Sequence, residues 1–527
     1  MTVAEVFQEI SAADFFYRNR DIAGFTSPSR AVYSTIRELV ENSLDACETM
    51  GVPPDIYLRL SHESGPVDGP GVYSVRVEDN GLGIPGKIIP SAFGQVLYGS
   101  KYKLRQTRGQ FGLGGKMALL YGQVTTHSEA QIVSSTGPKD RVTEVILRID
   151  IQQNKPIIMK NKTHPNKHHW RGTAIEFKTE ADYSRAMSKI LDYMKQTAII
   201  VPYANITFVD PRGRLYRFLR GTTTVPEAPT ETSPHPHGVD VETVQRLLKV
   251  TNAKTLQEFL RKHFQRIGDA TARKFLQYAS MGQRKTPRNM TPDDVVKLVN
   301  AMKNYEDFLA PDSSCLSPLG EDLLATGIKK ELGITDDDIA QGHAYVGTLQ
   351  RKPATYAGFP FIVEVGLASS KNIPTEGKIL LFRFANKIPL LFDEASDVSW
   401  KVVNNTIDWR NYKVAPGETP LAVFVHLCST KVPYKTVGKE FIADRPDVEH
   451  EIVNAIREAG RTLKLYLSKK EHLATERKRL DVFEKYLPKI AQFSTKLAKQ
   501  KREPEVSTLL KSVMKYGPAN EEEQEQE

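Results

Sequence analysis

The sequence predicts an α+β protein of several domains: two regions that mix helix and strand, a helical insert between them, and a long helix near the end. Three observations support this fold class. A length of 527 residues exceeds what one ordinary core accommodates. Helical and strand-like patterns mix in residues 1–225, and strand-like patterns return from about residue 355, whereas residues 239–310 follow a helical period. From Pro446 a helical pattern runs to about Leu487.

The composition predicts a soluble, globular protein. No run of eighteen apolar residues is present, and the N-terminus has no signal-peptide pattern. The three cysteines, Cys47, Cys315 and Cys428, lie far apart and form no CxxC pair, which favours a reducing compartment without structural zinc. We therefore expect a cytoplasmic protein with no membrane partner.

The positive charge is concentrated near the end of the chain. The net charge is +9, and residues 464–515 alone contain 14 Lys and Arg against 6 Asp and Glu. This surplus is typical either of a surface that binds nucleic acid or of a solvated helix face, and both interpretations stay open at this point.

The first strong helix signal has an unusual polar face. Ser27 can cap its start and Gly51 can end it. Glu38, Asn42 and Asp45 recur at i, i+4 and i+7, so they share one face beside an apolar stripe. The stripe consists of Val32, Ile36, Leu39, Val40 and Leu44. The neighbours of these three residues are apolar, and no lysine stands at i+4 to pair with Glu38.

Strands and a linker follow this helix. Strand-like segments lie at 55–60, 72–78, 144–151, 172–178 and 204–210, and a linker-like run rich in Pro and Thr covers 222–238. The three histidines of segment 163–170 lack metal-ligand spacing and lie among lysines, so we expect a surface loop there.

The first glycine-rich segment, GLGIPG at 81–86, matches the dinucleotide-binding pattern only superficially. Pro85 lies inside it, and no acidic residue that could bind a ribose occurs from residue 81 to 128. The Rossmann interpretation is therefore excluded.

The second glycine-rich segment, GQFGLGGK at 109–116, resembles a P-loop. A P-loop, however, needs Gly where this chain has Gln110, and Ser or Thr where it has Met117. What remains is a loop whose backbone can approach an anion. The helix that it opens, together with Lys116, favours phosphate groups. A flexible loop with glycines for close packing is the alternative.

Five motifs in order resemble one family. They are RELVENSLDA, VEDNGLGIP, AFGQVLYGSKYKLRQTRGQFGLGGK, RFANKIPLLFD and HLCSTKVPYKTVGKE. Their series resembles the GHKL ATPases with the Bergerat fold, an α/β sandwich. More specifically, it is similar to the B-subunit family of the type IIB enzyme DNA topoisomerase VI, from near residue 12 to about residue 445.

The resemblance implies four domains. Residues 1–230 would be the GHKL ATPase domain, and 231–312 a small helix–two-turns–helix domain. Residues 313–468 would be an α/β transducer domain, and 469–527 a C-terminal linker helix with a charged tail.

The resemblance also assigns roles in an ATP site. Glu38 would be the base that activates water for attack on the γ-phosphate, and Asn42 would bind Mg²⁺. Asp79 would accept a hydrogen bond from adenine, and Gly83 would let the base lie close. Glu41, displaced about 60° from the face of Asn42, ranks second as the base.

The phosphates would be held mainly by the glycine-rich lid. The residues implied are Ser100, Lys101, Gly109, Gln110, Phe111, Gly112, Leu113, Gly114, Gly115 and Lys116. Lys431, in the S-T-K segment of the transducer, would reach the γ-phosphate as a switch lysine. Lys435 and Lys439 are nearby competitors for that role.

By this likeness the chain would bind and hydrolyse ATP, and ATP-driven homodimerisation through the ATPase domain would gate the passage of double-stranded DNA. It would relax or decatenate DNA with a DNA-cleaving A subunit, as a heterotetramer of two A and two B subunits at the nucleoid. The alternative is another GHKL ATPase that has no DNA substrate. It would be either a histidine kinase or an ATP-gated chaperone or scaffold.

Overall fold

The computed structural model of the chain describes residues 9–66, 68–99, 104–109, 112–375, 377, 379–436, 438–499 and 506. Four of the residues expected to hold phosphates lie outside the described residues: Ser100, Lys101, Gln110 and Phe111.

The first α/β region is built on an eight-stranded sheet with the order β5-β4-β3-β6-β2-β1-β7-β8. All neighbours are antiparallel except β1 and β7, which run parallel. The strands are β1 (Asp55–Ser64), β2 (Gly71–Glu78), β3 (Ala130–Ser135), β4 (Val142–Asp150), β5 (Lys155–His164), β6 (Gly172–Ala181), β7 (Asn205–Val209) and β8 (Leu215–Phe218).

The helices of this region are α1 (Ala12–Arg18), α2 (Pro28–Met50), α3 (Ile89–Gly94), α4 (Gly114–Thr126) and α5 (Tyr183–Ile200). The predicted limits of α2 are confirmed. The Ser27 hydroxyl accepts a hydrogen bond from the amide of Arg30, and Gly51 ends the helix at φ +66°. The apolar stripe of α2 is buried in the main core.

The expectation of a surface loop at 163–170 is partly wrong. Lys155–His164 forms the edge strand β5, which among the described residues pairs only with β4. Its side chains are mostly exposed, so this segment shows none of the apolar alternation by which strands are found in a sequence. The remainder, 165–170, is loop.

The helical insert has a core of its own. Its helices are α6 (Val241–Val250), α7 (Leu256–His263), α8 (Asp269–Tyr278) and α9 (Pro292–Asn304). Phe259, Phe275 and Leu298 are fully buried among them. The predicted helical character of residues 239–310 is thus confirmed.

The second α/β region contains a six-stranded sheet in which β11 and β14 are central. Its elements are α10 (Glu321–Leu332), α11 (Asp336–Ala340), β9 (Tyr345–Gln350), β10 (Ala354–Tyr356), β11 (Phe359–Ser369), β12 (Leu380–Ala385), β13 (Ile388–Pro389), α12 (Val398–Lys401) and β14 (Ala422–Ser429). Helix α10 packs tightly against α5: a Cβ on Gly327 would overlap the carbonyl of Ile199. The two α/β regions therefore share one core.

The long helix α13 spans Pro446–Leu497, beyond the predicted end at about Leu487. The prediction stopped before Pro488, but a proline removes one helical hydrogen bond and does not always end a helix. By packing, the chain forms two units: Met1–Trp409 with Val414–Gly460, and Arg410–Lys413 with Arg461–Glu527. Among the described residues, no helix is both long and apolar enough to cross a membrane.

Candidate active site

The unusual face of α2 borders a cavity of about 750 Å³. Around it lie α2, the turn after β2, the segment before Gly109 and the start of α4, together with residues of the second α/β region. The lining residues used below are Glu38, Asn42, Asp45, Glu48, Gly83, Arg108, Gly114, Gly115, Lys116, Glu231, Lys387 and Lys439.

The structure separates the two glutamates that compete for the role of base. Glu38 lines the cavity together with Asn42 and Asp45, so the predicted shared face is confirmed. Glu41 is only 2% exposed and is absent from the lining. Of these two glutamates, Glu38 is the one that a substrate bound in the cavity can reach.

Asp79 directly follows β2 and precedes the turn that carries Gly83. Its carboxylate accepts hydrogen bonds from the Ser43 hydroxyl (2.9 Å), the Gly81 amide (2.9 Å) and the Thr173 amide (3.2 Å). Burial raises the pKa of Asp79, and these three donors oppose the rise. The carboxylate is held rigidly, but it is not itself part of the cavity lining.

Gly83, which does line the cavity, cannot carry a side chain. It has φ +72°, and an added Cβ would overlap the backbone carbonyl of Ser135. We expect Gly83→Ala to displace the turn and weaken nucleotide binding at least about tenfold, measured by calorimetric titration. Gly213→Ala is the matched control, because Gly213 has φ +76° with open space around it. Equal affinities in both variants would contradict an adenine pocket at this turn.

The start of α4 is packed against the polar face of α2. A Cβ on Gly114 would overlap the Glu38 carboxylate, and one on Gly115 would lie 3.2 Å from the Asn42 amide nitrogen. Lys116 is buried and its ammonium group donates to the carbonyl of Tyr98. Glycines here let helical backbone amides and Lys116 face the same cavity as Glu38 and Asn42.

A buried ion network forms another part of the cavity wall. Arg108 donates to Asp45 (3.0 Å) and to Glu48 (2.6 Å), and Glu48 also accepts from the Tyr203 hydroxyl (2.6 Å). Lys387 of the second α/β region approaches Glu48 at 3.4 Å. Although burial alone would raise it, the charges of Arg108 and Lys387 lower the pKa of Glu48 to about 2. Asp45 thus braces the segment before Gly109 through Arg108.

Lys387 was not found by sequence reasoning. It occupies the tight turn between β12 and β13, where Asn386 and Lys387 have φ +47° and +61°. The Lys387 amide donates to His426 Nε2 (2.9 Å), and His426 Nδ1 donates to Glu364 (2.7 Å). Asn386 suits such a turn, but the lysine that follows it is not a usual turn residue. Nothing in the local sequence shows which surface the turn faces.

Lys431 is placed away from the cavity in this structure. It is exposed, and its ammonium lies 4.9 Å from the centre of the Phe359 ring. Lys435 is also exposed and absent from the lining, whereas Lys439 is buried and lines the cavity. Lys431 as the switch lysine stays a prediction.

Two family models match the chain. The model described as "Histidine kinase-, DNA gyrase B-, and HSP90-like ATPase" matches residues 28–153, which contain α2, Asp79 and the glycine-rich segments. The model described as "Topoisomerase VI B subunit, transducer" matches residues 311–479, which contain the second sheet. The two matches together include both sides of the cavity.

Two relatives compared by sequence agree with the family models. The B subunit of type 2 DNA topoisomerase 6 from Pyrobaculum aerophilum is 45% identical over 91% of this chain and 87% of its own length. The protein of the same name from Saccharolobus shibatae is 43% identical over 93% of this chain and 91% of its own length. Among solved structures, the B subunit of DNA gyrase from Myxococcus xanthus is 11% identical with a TM-score of 0.40, covering 86% of this chain and 95% of that one. The chain belongs to the family of topoisomerase VI B subunits, ATP-binding subunits of an ATP-dependent type II DNA topoisomerase.

Proposed function

We propose that this chain binds Mg·ATP in the cavity, hydrolyses it with Glu38 as the base, and closes into a homodimer through its ATPase domain while ATP is bound. With a DNA-cleaving A subunit, in a heterotetramer of two A and two B subunits, the closed dimer gates the passage of one double-stranded DNA through another. Because the proposed substrate is DNA, we expect the protein to act in the cytoplasm, at the nucleoid.

One observation carries this proposal: the cavity wall is shared by the two α/β regions. Glu38, Asn42 and Gly114 belong to the first region, and Lys387 and Lys439 to the second. A triphosphate bound there can contact both regions at once, so its loss changes contacts across their junction. A ligand shifts a conformational equilibrium only through such differential contacts.

Glu38 supplies the chemistry of the hydrolysis step. As a carboxylate it accepts a proton from the attacking water while the new bond to the γ-phosphorus forms and the bond to the ADP oxygen breaks. Asp79 would fix the adenine, and the negative charge of the phosphates would meet the α4 amides and Lys116. The chain thus needs no covalent intermediate.

Asn42 fits the role of a magnesium ligand. Its amide lies on the cavity next to the start of α4, where phosphate oxygens would also be held. Mg²⁺ takes one or two protein oxygens and completes its octahedron with water and phosphate, so a neutral amide is sufficient. When bound, the ion would neutralise phosphate charge, and Asn42 would orient it.

Lys431 is the residue through which we expect the nucleotide state to reach the transducer. Lys431→Ala should leave ADP affinity within about twofold and weaken closure driven by a non-hydrolysable ATP analogue, because only the triphosphate would meet its point charge. Closure is measured as dimer fraction by light scattering. If closure is unchanged in this variant and impaired in Lys435→Ala, the switch lysine is Lys435.

The long helix offers a surface for the A subunit. Between residues 482 and 497 exposed apolar side chains recur every three or four positions, which makes one stripe along α13. They are Val482, Tyr486, Ile490, Phe493 and Leu497. The helical insert has exposed basic residues whose positive charge would attract DNA phosphates: Lys262, Arg266, Arg273 and Lys274.

The direct test is reconstitution with the cognate A subunit on supercoiled plasmid. We expect relaxation only with ATP and magnesium together, and ATP turnover that rises with DNA and loses this stimulation as salt increases. If DNA does not change ATP turnover at any salt concentration and the plasmid is not relaxed, the result would instead support a GHKL ATPase without a DNA substrate.

A further inference from the structure

The two chain segments that join the helical insert to the rest of the protein contact the same short piece of the first α/β region. We call residues 104–106 the lid root, residues 229–234 the entry segment and residues 312–317 the exit segment. In the entry segment, the amide of Thr232 donates a hydrogen bond to the carbonyl of Leu104 (3.0 Å). The path into the insert is therefore attached to the lid root.

Gln106 attaches the path out of the insert to the lid root as well. Its Nε2 donates to the carbonyl of Ser317 (3.0 Å), and its Oε1 accepts from the amide of the same residue (2.7 Å). Gln106 is 5% exposed and Ser317 is 3% exposed. Because a buried polar group that loses its partner carries the full cost of desolvation, this pair of hydrogen bonds fixes the exit segment on the lid root.

The entry and exit segments also contact each other and the body of the insert. The amide of Thr230 donates to the carbonyl of Cys315 (3.2 Å). Between α7 and α8, Gln265 holds both segments: its amide donates to the carbonyl of Pro234 (3.1 Å), and its Oε1 accepts from the amide of Asp312 (2.8 Å). Hydrogen bonds thus connect the lid root to the turn between α7 and α8.

Both segments meet the cavity that we propose for ATP. Pro229 and Glu231 of the entry segment line it, as does Gln106 of the lid root. The hydroxyl of Ser317 accepts a hydrogen bond from the ammonium group of Lys387 (3.1 Å), which also lines the cavity. A nucleotide in the cavity can therefore favour one arrangement of the lid root and the two segments over another.

At the other end of this path lies a basic residue of the insert. Arg266 directly follows Gln265, has φ +60°, and is exposed. Its Nε donates to the carbonyl of Ala310 (3.3 Å), just before the exit segment. An anionic ligand bound by Arg266 would therefore act on the same turn that holds the entry and exit segments.

We propose that the nucleotide cavity and the helical insert are coupled through the lid root, with Gln106 as the positioning residue: nucleotide in the cavity orders the entry and exit segments and the turn at Gln265. Coupling of binding free energies is reciprocal, so a ligand held by Arg266 changes nucleotide affinity by the same factor. This inference rests on the proposed binding of ATP in the cavity. Its path runs through the insert and not through the loop after β14.

The test is amide hydrogen exchange of the full chain, with and without a non-hydrolysable ATP analogue plus magnesium. In the unmodified chain, the analogue should slow exchange at least about fivefold at the start of α4, in both segments and around Gln265. Gln106→Leu should keep this protection at the start of α4 and lose most of it in the exit segment and around Gln265.

Gln123→Leu is the matched control. Gln123 makes the same pair of hydrogen bonds with a single residue, Ile149 (2.8 and 2.7 Å), within the first α/β region. The two variants therefore lose the same number and kind of contacts. Gln123→Leu should show the protection pattern of the unmodified chain, including any protection that arises from dimer contacts.

The outcomes separate this inference from the proposed function. Protection at the start of α4 with unchanged exchange in both segments of the unmodified chain overturns the coupling. Full protection of the exit segment in Gln106→Leu overturns the role of Gln106. If that variant does not fold, Gln106→Glu replaces it, because it keeps the acceptor for the Ser317 amide and loses the donor, and the same loss is expected. No protection at the start of α4 in the unmodified chain overturns instead the proposed binding of ATP.

Discussion

Replacing Glu38 by alanine is expected to abolish ATP turnover while ATP binding persists. General-base catalysis contributes about 10²- to 10⁴-fold. Among the described residues, the other glutamates that line the cavity are Glu48, which is engaged by Arg108, and Glu231, which lies in the linker after β8. Binding should persist because the α4 amides and Lys116 remain in place. The measurements are single-turnover rates and calorimetric affinity for ATP.

Glu38→Gln separates the charge of this residue from its shape. It retains most of the packing against Gly114 but cannot accept the proton, so its turnover should be as low as that of the alanine variant. Normal turnover in both Glu38 variants would identify Glu41 as the base. The cavity would then have to differ from the one seen here, because Glu41 does not line it.

Replacing Glu48 by glutamine is expected to lower the free energy of unfolding by about 3 kcal/mol at neutral pH. Burial alone would raise the pKa of Glu48, but Arg108 and Lys387 lower it from its ordinary value of 4.5 to about 2. A difference of that size corresponds to about 3 kcal/mol of stability. A lowered pKa contributes stability above the unfolded value, and this contribution is lost as pH falls from about 4.5 toward 2.

Urea unfolding at pH 7 and pH 3 checks this prediction. The gap between the unmodified chain and Glu48→Gln should narrow at pH 3. The control is Glu63→Gln, which breaks the exposed pair of Glu63 with Lys178 and should cost less than about 1 kcal/mol. A gap that is equally wide at both pH values would show that Glu48 contributes by packing and not by its charge.

Local patterns predicted those parts of the site that depend on one helix. The spacing of Glu38, Asn42 and Asp45 fixes their shared face, because the geometry of a helix alone decides it. The limits of α2 follow from Ser27 and Gly51 for the same reason. These features needed no knowledge of distant residues.

The contacts made by distant residues could not be predicted in this way. Lys439 reaches Glu41 across 398 positions, and Lys387 reaches Glu48 across 339. Which of three lysines in one loop turns inward is decided by the loop conformation at Lys439, with φ +54°, and by its contacts with α2. The exposed strand β5 was missed because it buries little and so carries no apolar alternation.

The central claim is that the third phosphate of ATP operates a dimer gate. Its most direct test is the solution mass of the purified chain by light scattering, without nucleotide, with ADP, and with a non-hydrolysable ATP analogue plus magnesium. We expect a dimer with the analogue alone and a monomer in the other two conditions. The same mass in all three conditions would contradict the gate, even if the cavity binds ATP.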